Sequence, residues 1–265
     1  MLWLNFLLVI FMTSFIEILG RQIPIYGLLW FVGIFAAGIV GTLICPKHGI
    51  EKFDLVCSAI YSVICGVIGS KILFIAVSLD KIIEYRLPFI NILKGGFVFY
   101  GGLLGGIIGL WIYTRQFKLN FTDFANLYAV LLPLGHAFGR VGCFFGGCCY
   151  GMKYSGPFAV KYSFVHGTTP LNVSLFPIQL LEALVLLLIF ASLLIYYSRH
   201  NAKCHCAEYY IISYGICRFI IEFFRGDDVR GLFLGISTSQ WISVFLVLAA
   251  VGILLHKKIS PRGED

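Results

Sequence analysis

Five ionisable side chains lie inside long apolar stretches of the sequence, where a charge is costly. They are Lys71, Arg140, Glu182, Arg218 and Glu222. A central Arg or Lys costs roughly 2.5–3.5 kcal/mol on membrane-insertion scales, so the three cations together cost on the order of 8–10 kcal/mol. A chain that keeps such charges pairs them, hydrates them or uses them on a ligand. The pattern therefore predicts either structural ion pairs within a helix bundle or a polar cavity that binds an anion.

The spacing of the residues around Arg218 favours a single polar face. Tyr214, Arg218, Glu222 and Arg225 are separated by four, four and three residues, and these intervals place side chains on one side of a helix. Glu222 lies one turn after Arg218, so it can hold the guanidinium group in place. The other face of that guanidinium can then bind an anion.

The segment around Arg140 has a similar face. His136 lies one turn before Arg140, and Asn126 lies 14 residues before it on nearly the same side. A planar guanidinium binds phosphate through two parallel hydrogen bonds, which an ammonium group does not offer. The guanidiniums of Arg140 and Arg218, on separate helices, could therefore clamp one phosphate.

The composition is that of a membrane protein. Of the 265 residues, 59% are hydrophobic and 12% are charged, and the mean hydropathy is +0.91. A soluble domain carries about twice that charged fraction, and a disordered chain needs low hydrophobicity, so both classes are excluded. The net charge of +7 comes from basic residues scattered among apolar runs. This scatter argues against nucleic-acid binding and fits contact with anionic membrane lipids.

Most of the seven apolar segments are long enough to cross a bilayer, and we predict a transmembrane helix in each. They run over Ile25–Cys45, Leu55–Leu79, Phe97–Tyr113, Phe121–Cys143, Leu175–Tyr197, Ala207–Phe224 and Ile236–Leu255. The predicted fold is an all-α integral membrane protein with about seven transmembrane helices around a polar cavity. A long extracytoplasmic loop, from Gly146 to Ser174, is expected to be functional because idle loops of that length are uncommon.

The segments also predict three regions along the chain. Residues 1–24 are expected to form an apolar or interfacial N-terminal segment, residues 25–256 a seven-helix domain, and residues 257–265 a charged cytoplasmic tail. Residues 2–19 are apolar enough to lie in or on the membrane, and whether they span it stays open. No signal peptide is predicted, because the first 16 residues carry no positive charge.

Glycines surround Tyr100 and allow two interpretations. The four-residue spacing of Gly101, Gly105 and Gly109 is typical of close helix packing. Missing side chains would equally let a lipid headgroup or a peptide backbone approach Tyr100. Both interpretations stay open at the level of sequence.

Three cysteines follow Arg140: Cys143, Cys148 and Cys149. The two-residue spacing usual among zinc ligands is absent, so we expect no metal site here. If the loop faces an oxidising compartment, a disulfide that involves Cys148 or Cys149 is an alternative that the sequence leaves undecided.

Several motifs occur together in a specific order between about Phe15 and Leu254. They are Ile23-Pro-Ile-Tyr26-Gly27, the block Gly95–Gly102 around Tyr100, the block Gly139–Gly151 around Arg140, Pro177-Ile-Gln179-Leu-Leu-Glu182, the face from Tyr214 to Arg225, and Gln240. In this order they resemble the phosphatidylglycerol–prolipoprotein diacylglyceryl transferases of the bacterial inner membrane. The resemblance covers most of the chain.

This resemblance implies a seven-helix enzyme with its N-terminus outside and its C-terminus in the cytoplasm. Such enzymes move the diacylglyceryl group of phosphatidylglycerol to the lipobox cysteine thiol of a prolipoprotein signal peptide and release glycerol 1-phosphate. No metal ion or organic cofactor is implied. The implied catalytic residues are Tyr100, Arg140 and Arg218, and the implied substrate-binding residues are Tyr26, Asn126, Arg140, Gln179, Glu182, Tyr214, Glu222 and Arg225.

The sequence departs from the family near this implied site. Tyr100 stands where the best-studied members have a histidine that is proposed to assist thiol deprotonation, and a neutral phenol is a poor base for a thiol. Cys143 and Cys148 replace a usual asparagine and a usual acidic residue. These departures leave open a divergent relative that transfers a lipid-derived group to a non-protein acceptor such as a glycan. A lipid-binding or transport protein with the same arginine-lined cavity is a third possibility.

Overall fold

The computed structural model describes residues 15–18, 20–85, 88–163, 169–200, 204–227 and 231–259. The chain begins with an antiparallel hairpin of β1 (Phe15–Ile18) and β2 (Arg21–Pro24), in which Phe15 pairs with Pro24. The predicted N-terminal segment is therefore a hairpin over the residues described, and its first 14 residues lie outside them. The hairpin leads directly into the first helix.

Nine α-helices follow within the described residues. They are α1 (Ile25–Ile44), α2 (Lys52–Val77), α3 (Leu79–Glu84), α4 (Phe89–Lys94), α5 (Phe99–Gln116), α6 (Phe121–Gly146), α7 (Ile178–Arg199), α8 (Cys206–Ile221) and α9 (Thr238–Ile259). Short 3₁₀ turns extend α1 over Cys45–His48 and α8 over Glu222–Phe224. Two further two-stranded pairings join β3 (Val160–Lys161) to β4 (Ser174–Leu175) and β5 (Leu232–Phe233) to β6 (Ile236–Ser237).

Each of the seven predicted apolar segments contains a helix, and five of these helices are long and apolar enough to cross a membrane. The five candidate spans are Ile25–His48, Lys52–Val77, Phe121–Gly146, Ile178–Arg199 and Thr238–Lys257. The helices α5 and α8 have 18 and 16 residues, which is short of the roughly 20 residues that a span needs. The prediction of helices is confirmed, and the prediction that α5 and α8 also span stays a prediction.

Two of the predicted apolar segments begin before their helices do. Leu175 and Ile236 lie in short strands rather than in helices. Pro177 explains the first case, because proline disfavours helical geometry in the residue before it and is accepted at a helix start. The helix α9 runs on to Ile259, so the predicted tail from residue 257 begins inside a helix. Residues 260–265 lie outside the described residues.

The described chain forms two compact units. One contains the described residues up to Gly41 and from Asn126 onward, and the other contains Thr42–Ala125. The helix α6, which belongs to the first unit from Asn126 onward, is the most buried of the five candidate spans. Its residues Leu127 and Val130 are fully buried, as is Leu186 of α7. This unit carries Arg140 and Arg218.

The second unit is built on a close contact between α2 and α5. A Cβ added at Gly105 would overlap the carbonyl oxygen of Cys65, and one at Gly109 would lie 2.5 Å from the carbonyl oxygen of Tyr61. A Cβ added at Gly69 would likewise lie 2.5 Å from the carbonyl oxygen of Gly101. Only hydrogen atoms fit between these backbones. The structure thus supports the packing interpretation of the glycine pattern.

We expect Gly105→Ala to lower the free energy of unfolding by about 1–3 kcal/mol, the usual range for overpacking, because the new methyl group meets a backbone oxygen that cannot turn away. Gly106→Ala is the matched control, since its Cβ would lie 3.6 Å from the nearest atom, the carbonyl oxygen of Ser62. Denaturant unfolding of both variants in detergent measures the difference. Equal stability of the two variants would contradict the packing assignment.

The connection between α6 and α7 is anchored on the first unit wherever it is described. Met152 donates its backbone N–H to the carbonyl of Phe224 at 2.9 Å, and Gly226 donates to the carbonyl of Tyr150 at 3.0 Å. Phe144 of α6 packs with Tyr162 and Leu175 in a small apolar core. Residues 164–168, within the predicted long loop, lie outside the described residues. This anchoring brings the turn that carries Cys148 and Cys149, here called the cysteine turn, next to Arg225.

Candidate active site

Helix α6 presents His136 and Arg140 one turn apart on its buried side. The Nε of Arg140 donates a hydrogen bond to Nε2 of His136 at 3.2 Å. Because Nε2 accepts this bond, the proton of the imidazole lies on Nδ1 and the ring is neutral. The Arg140 side chain is only 14% exposed, so its charge needs a partner inside the protein.

That partner is Glu182 on α7. Nη2 of Arg140 lies 3.1 Å from Oε1 of Glu182, and the hydroxyl of Tyr214 on α8 donates to the same oxygen at 3.0 Å. Glu182 itself is 1% exposed. One buried carboxylate therefore joins α6, α7 and α8, and it fixes the direction of the Arg140 guanidinium.

Arg218 on α8 has its own carboxylate. Nη1 of Arg218 lies 2.7 Å from Oε2 of Glu222, one turn later, as the four-residue spacing predicts. The hydroxyl of Ser239 at the start of α9 donates to Oε1 of Glu222 at 3.0 Å. The Arg218 side chain is 13% exposed. Each arginine is thus positioned by a buried glutamate from a neighbouring turn or helix.

The two guanidiniums lie around the same pair of rings. The rings of His136 and Tyr214 meet edge to face with centroids 5.3 Å apart, and both Arg140 and Arg218 act electrostatically on each of them. A guanidinium carries five N–H groups, and Arg140 contacts His136 through Nε and Glu182 through Nη2. The two arginines, which come from separate helices, thus both act on one pair of rings; that they bind one phosphate together stays a prediction.

Three further residues of the implied substrate site lie near the cysteine turn. They are Tyr26, Gln179 and Arg225. The ring of Tyr26 packs on Gly142 of α6, and its hydroxyl is within electrostatic range of Arg140 and Cys149. Gln179 is buried and donates from Nε2 to the carbonyl of Cys148 at 2.8 Å. Arg225 binds both carboxylate oxygens of Asp227, at 3.1 and 2.8 Å.

The cysteine turn has an unusual electrostatic environment. Hydrogen bonds from the thiols of Cys143 and Cys148 lower the pKa of Cys149, and the positive charges of Arg225 and Arg140 lower it further. Desolvation by the surrounding chain raises the pKa of Cys149; this effect is smaller than that of the two thiols and larger than that of either arginine. This environment favours a thiolate at Cys149.

Comparisons with known proteins identify the family of this chain. Residues 13–256 match the family described as prolipoprotein diacylglyceryl transferase. The chain belongs to this family. A phosphatidylglycerol–prolipoprotein diacylglyceryl transferase of Clostridium tetani is 34% identical over 89% of this chain and 93% of its own length. Enzymes of the same name from Clostridium perfringens, numbered 2 there, and Idiomarina loihiensis are each 32% identical, over 94% and 90% of this chain and 96% and 90% of their own lengths.

Asn126, which the diacylglyceryl transferase resemblance implicates, lies away from Arg140, and the position of Tyr100 is described within its own unit. Asn126 is 1% exposed; it donates to the carbonyl of Cys204 at 2.8 Å and accepts from the N–H of Ala207 at 3.0 Å. It lies 14 residues before Arg140, which is about 21 Å along a helix axis. Tyr100 is the second residue of α5, in the other compact unit, with its ring edge against Phe99. Its part in catalysis stays a prediction.

We expect Asn126→Ala to lower the free energy of unfolding by about 2–4 kcal/mol, because it removes one buried hydrogen bond to the carbonyl of Cys204, at about 1–3 kcal/mol, and one part-buried bond from the N–H of Ala207, at about 1 kcal/mol. The Michaelis constant for phosphatidylglycerol should stay within about twofold, since the residue serves the start of α8. Denaturant unfolding and lipid-dependent kinetics on the same sample measure both quantities. A raised Michaelis constant with unchanged stability would instead support a role in headgroup binding.

The intramembrane cation Lys71 is held by its own unit. Its Nζ donates to the carbonyl oxygens of Ile92, Gly95 and Gly96 at 3.3, 3.0 and 3.2 Å. The same atom lies 4.2 Å from the ring centre of Phe97. For this residue the structural interpretation of a buried charge accounts for the geometry.

Sequence reasoning missed three features of the site in this family member. The sequence places His136 on the face of Arg140 without indicating a role for it, and in the structure the neutral imidazole orients that arginine. Ser239 carried no sequence signal, because its contact with Glu222 spans 17 residues and two elements. The proximity of three thiols was also missed, since their spacing matches no common ligand motif.

Proposed function

We propose that this enzyme transfers the diacylglyceryl group of phosphatidylglycerol to the lipobox cysteine of a prolipoprotein signal peptide and releases glycerol 1-phosphate. The bond from the glycerol carbon to the phosphate oxygen breaks, and that oxygen keeps the electron pair. The thiol sulfur forms the new carbon–sulfur bond, and its proton passes to the released glycerol phosphate or to water. The observation that carries the proposal is the pair of arginines around His136 and Tyr214, in a chain of the diacylglyceryl transferase family.

In this proposal Arg140 and Arg218 act as catalytic residues on the leaving phosphate. Negative charge grows on the phosphate oxygen as the bond breaks, and fixed guanidinium donors in a water-poor site stabilise it without reorganising. Glu182 and Glu222 are positioning residues, because each holds one guanidinium in place. Tyr26, Gln179, Tyr214 and Arg225 shape the headgroup site around them.

The membrane arrangement belongs to the same proposal. We assign α5 and α8 as spans in addition to the five long helices, which gives seven around a polar cavity and puts the two chain ends on opposite sides. The N-terminus would lie outside and the C-terminus in the cytoplasm of the bacterial inner membrane. The turn that carries Cys148 and Cys149 would then face the outer side.

Mass spectrometry of a lipobox peptide tests the transferase function directly. The purified enzyme is incubated with phosphatidylglycerol whose diacylglyceryl part is labelled, and with the peptide or its cysteine-to-serine control. We expect the label on the cysteine peptide alone, with glycerol phosphate released. Label on a non-protein product would instead indicate a divergent family member that uses a non-protein acceptor. Binding of phosphatidylglycerol without transfer to the peptide or to a non-protein acceptor would indicate a lipid-binding protein.

The same assay tests Tyr100. We expect Tyr100→Phe to lower the transfer rate by about 10²-fold or more, the usual contribution of proton transfer by a positioned side chain, while Tyr100→His keeps activity. Because Tyr100 is partly exposed, both variants should fold, and circular dichroism serves as the check. Full activity of Tyr100→Phe would make the residue a packing side chain and leave the arginine assignment untouched.

A further inference from the structure

Three thiols that the proposed mechanism does not use converge at the end of α6. The sulfurs of Cys143, Cys148 and Cys149 all lie within 4.8 Å of one another. Ligand sulfurs around a zinc ion, at bonds of about 2.3 Å, are about 3.8–4.0 Å apart in tetrahedral or trigonal geometry. The cluster therefore needs to contract by no more than about 1 Å to hold such an ion.

The backbone geometry of the turn brings the three thiols together. Gly147 and Cys149 both have left-handed geometry, with φ of 63° and 54°, and this fold of the chain turns Cys148 and Cys149 back towards α6. The N–H of Cys148 donates to the carbonyl of Cys143 at 3.2 Å. Gln179 on α7 holds the carbonyl of Cys148 at 2.8 Å. The thiols are thus fixed by two separate elements rather than by a loose loop.

The charges near the thiols favour a divalent ion. Arg140 lies within electrostatic range of Cys143 and Cys149, and Arg225 within range of Cys149. Each arginine is already paired with a carboxylate, Glu182 or Asp227, so neither can neutralise three thiolates. A divalent ion bound by three thiolates carries a single net negative charge, which the nearby guanidiniums can accommodate.

We propose that Cys143, Cys148 and Cys149 form a binding site for a thiophilic divalent metal ion such as Zn²⁺. Thiolate sulfur selects such soft or borderline ions over Mg²⁺ and Ca²⁺. The described residues supply three ligand atoms here, so a water molecule completes the tetrahedron. A disulfide would use two of the sulfurs and leave the third beside them, whereas a metal ion uses all three. This site is independent of the proposed transferase function.

Cadmium titration of the reduced, full-length protein in detergent tests the proposal. We expect a single tight equivalent of Cd²⁺, seen as a sulfur-to-cadmium charge-transfer band in the ultraviolet and displaced by Zn²⁺. The variants Cys143→Ser, Cys148→Ser and Cys149→Ser should each weaken binding by more than about tenfold, since even the loss of an outer-shell partner costs about 10–100-fold. Zn²⁺ should also raise the unfolding temperature of the wild type and not that of the variants.

Two control variants make the outcome specific. Cys217→Ser removes a partly buried cysteine of α8, and Cys204→Ser removes one of a separate buried pair with Cys206. Both controls should bind Cd²⁺ as the wild type does. Loss of binding in Cys204→Ser with retention in the three cluster variants would overturn the proposal. The proposal would also be overturned if the reduced cluster binds no Cd²⁺ and forms a disulfide again in air.

Discussion

Replacing either arginine of the pair with lysine is expected to lower kcat/KM for phosphatidylglycerol by about 10²–10³-fold, the effect of losing one donor to a developing anion. Lysine keeps the charge of Arg140 or Arg218 but loses the planar fork that binds two oxygens at once. Stability should change little, because the positive charge beside Glu182 or Glu222 remains. The peptide transfer assay, run over a range of lipid concentrations, gives kcat and KM for each variant.

The double variant Arg140→Lys/Arg218→Lys tests whether both groups act on one phosphate. Residues that share a ligand are coupled, so the double variant should lose less than the product of the two single losses. Arg199→Lys is the control, since Arg199 is exposed at the end of α7 and should keep full activity. Strictly multiplicative losses would indicate two separate sites.

Removing the carboxylate that holds Arg140 is expected to have the largest effect on stability. Glu182→Ala leaves the guanidinium of Arg140 buried without its ion-pair partner, and breaking a buried pair in this way costs about 3–5 kcal/mol. Transfer activity should fall with it, because Arg140 is no longer directed. Denaturant unfolding at fixed detergent concentration measures the loss of stability.

The double variant Arg140→Met/Glu182→Leu separates stability from catalysis. It removes both charges and fills the space with apolar groups, so stability should return to within about 1–2 kcal/mol of the wild type while activity stays lost. Lys257→Met is the matched control for an ion pair at the surface: its partner is Glu208, and the lysine side chain is 39% exposed. That control should cost less than about 1 kcal/mol. Recovery of activity in the double variant would show that Arg140 has no part in the chemistry.

Much of this architecture is predictable from the sequence for a simple physical reason. A bilayer demands runs of apolar residues with internally satisfied backbone bonds, and each of the seven predicted runs contains a helix. The i, i+4 spacing likewise predicts the pairing of Arg218 with Glu222, because both lie on one helix. Local periodicity fixes contacts within an element.

The sequence alone does not predict contacts between different helices and turns. The ion pair of Arg140 with Glu182 joins residues 42 positions apart, and nothing local selects that partner. Asn126 shares a helical face with Arg140, yet the rise of the helix separates them by about 21 Å. The cysteine cluster depends on left-handed backbone geometry at Cys149, and a cysteine in the sequence does not predict that geometry.

A structure of the enzyme with phosphatidylglycerol in a lipid nanodisc tests the central assignment most directly. The account predicts that phosphate oxygens lie within about 3.2 Å of N–H groups of both Arg140 and Arg218, with Glu182 and Glu222 still bound to their arginines. A phosphate held elsewhere, with the two guanidiniums remaining on their glutamates alone, would contradict it.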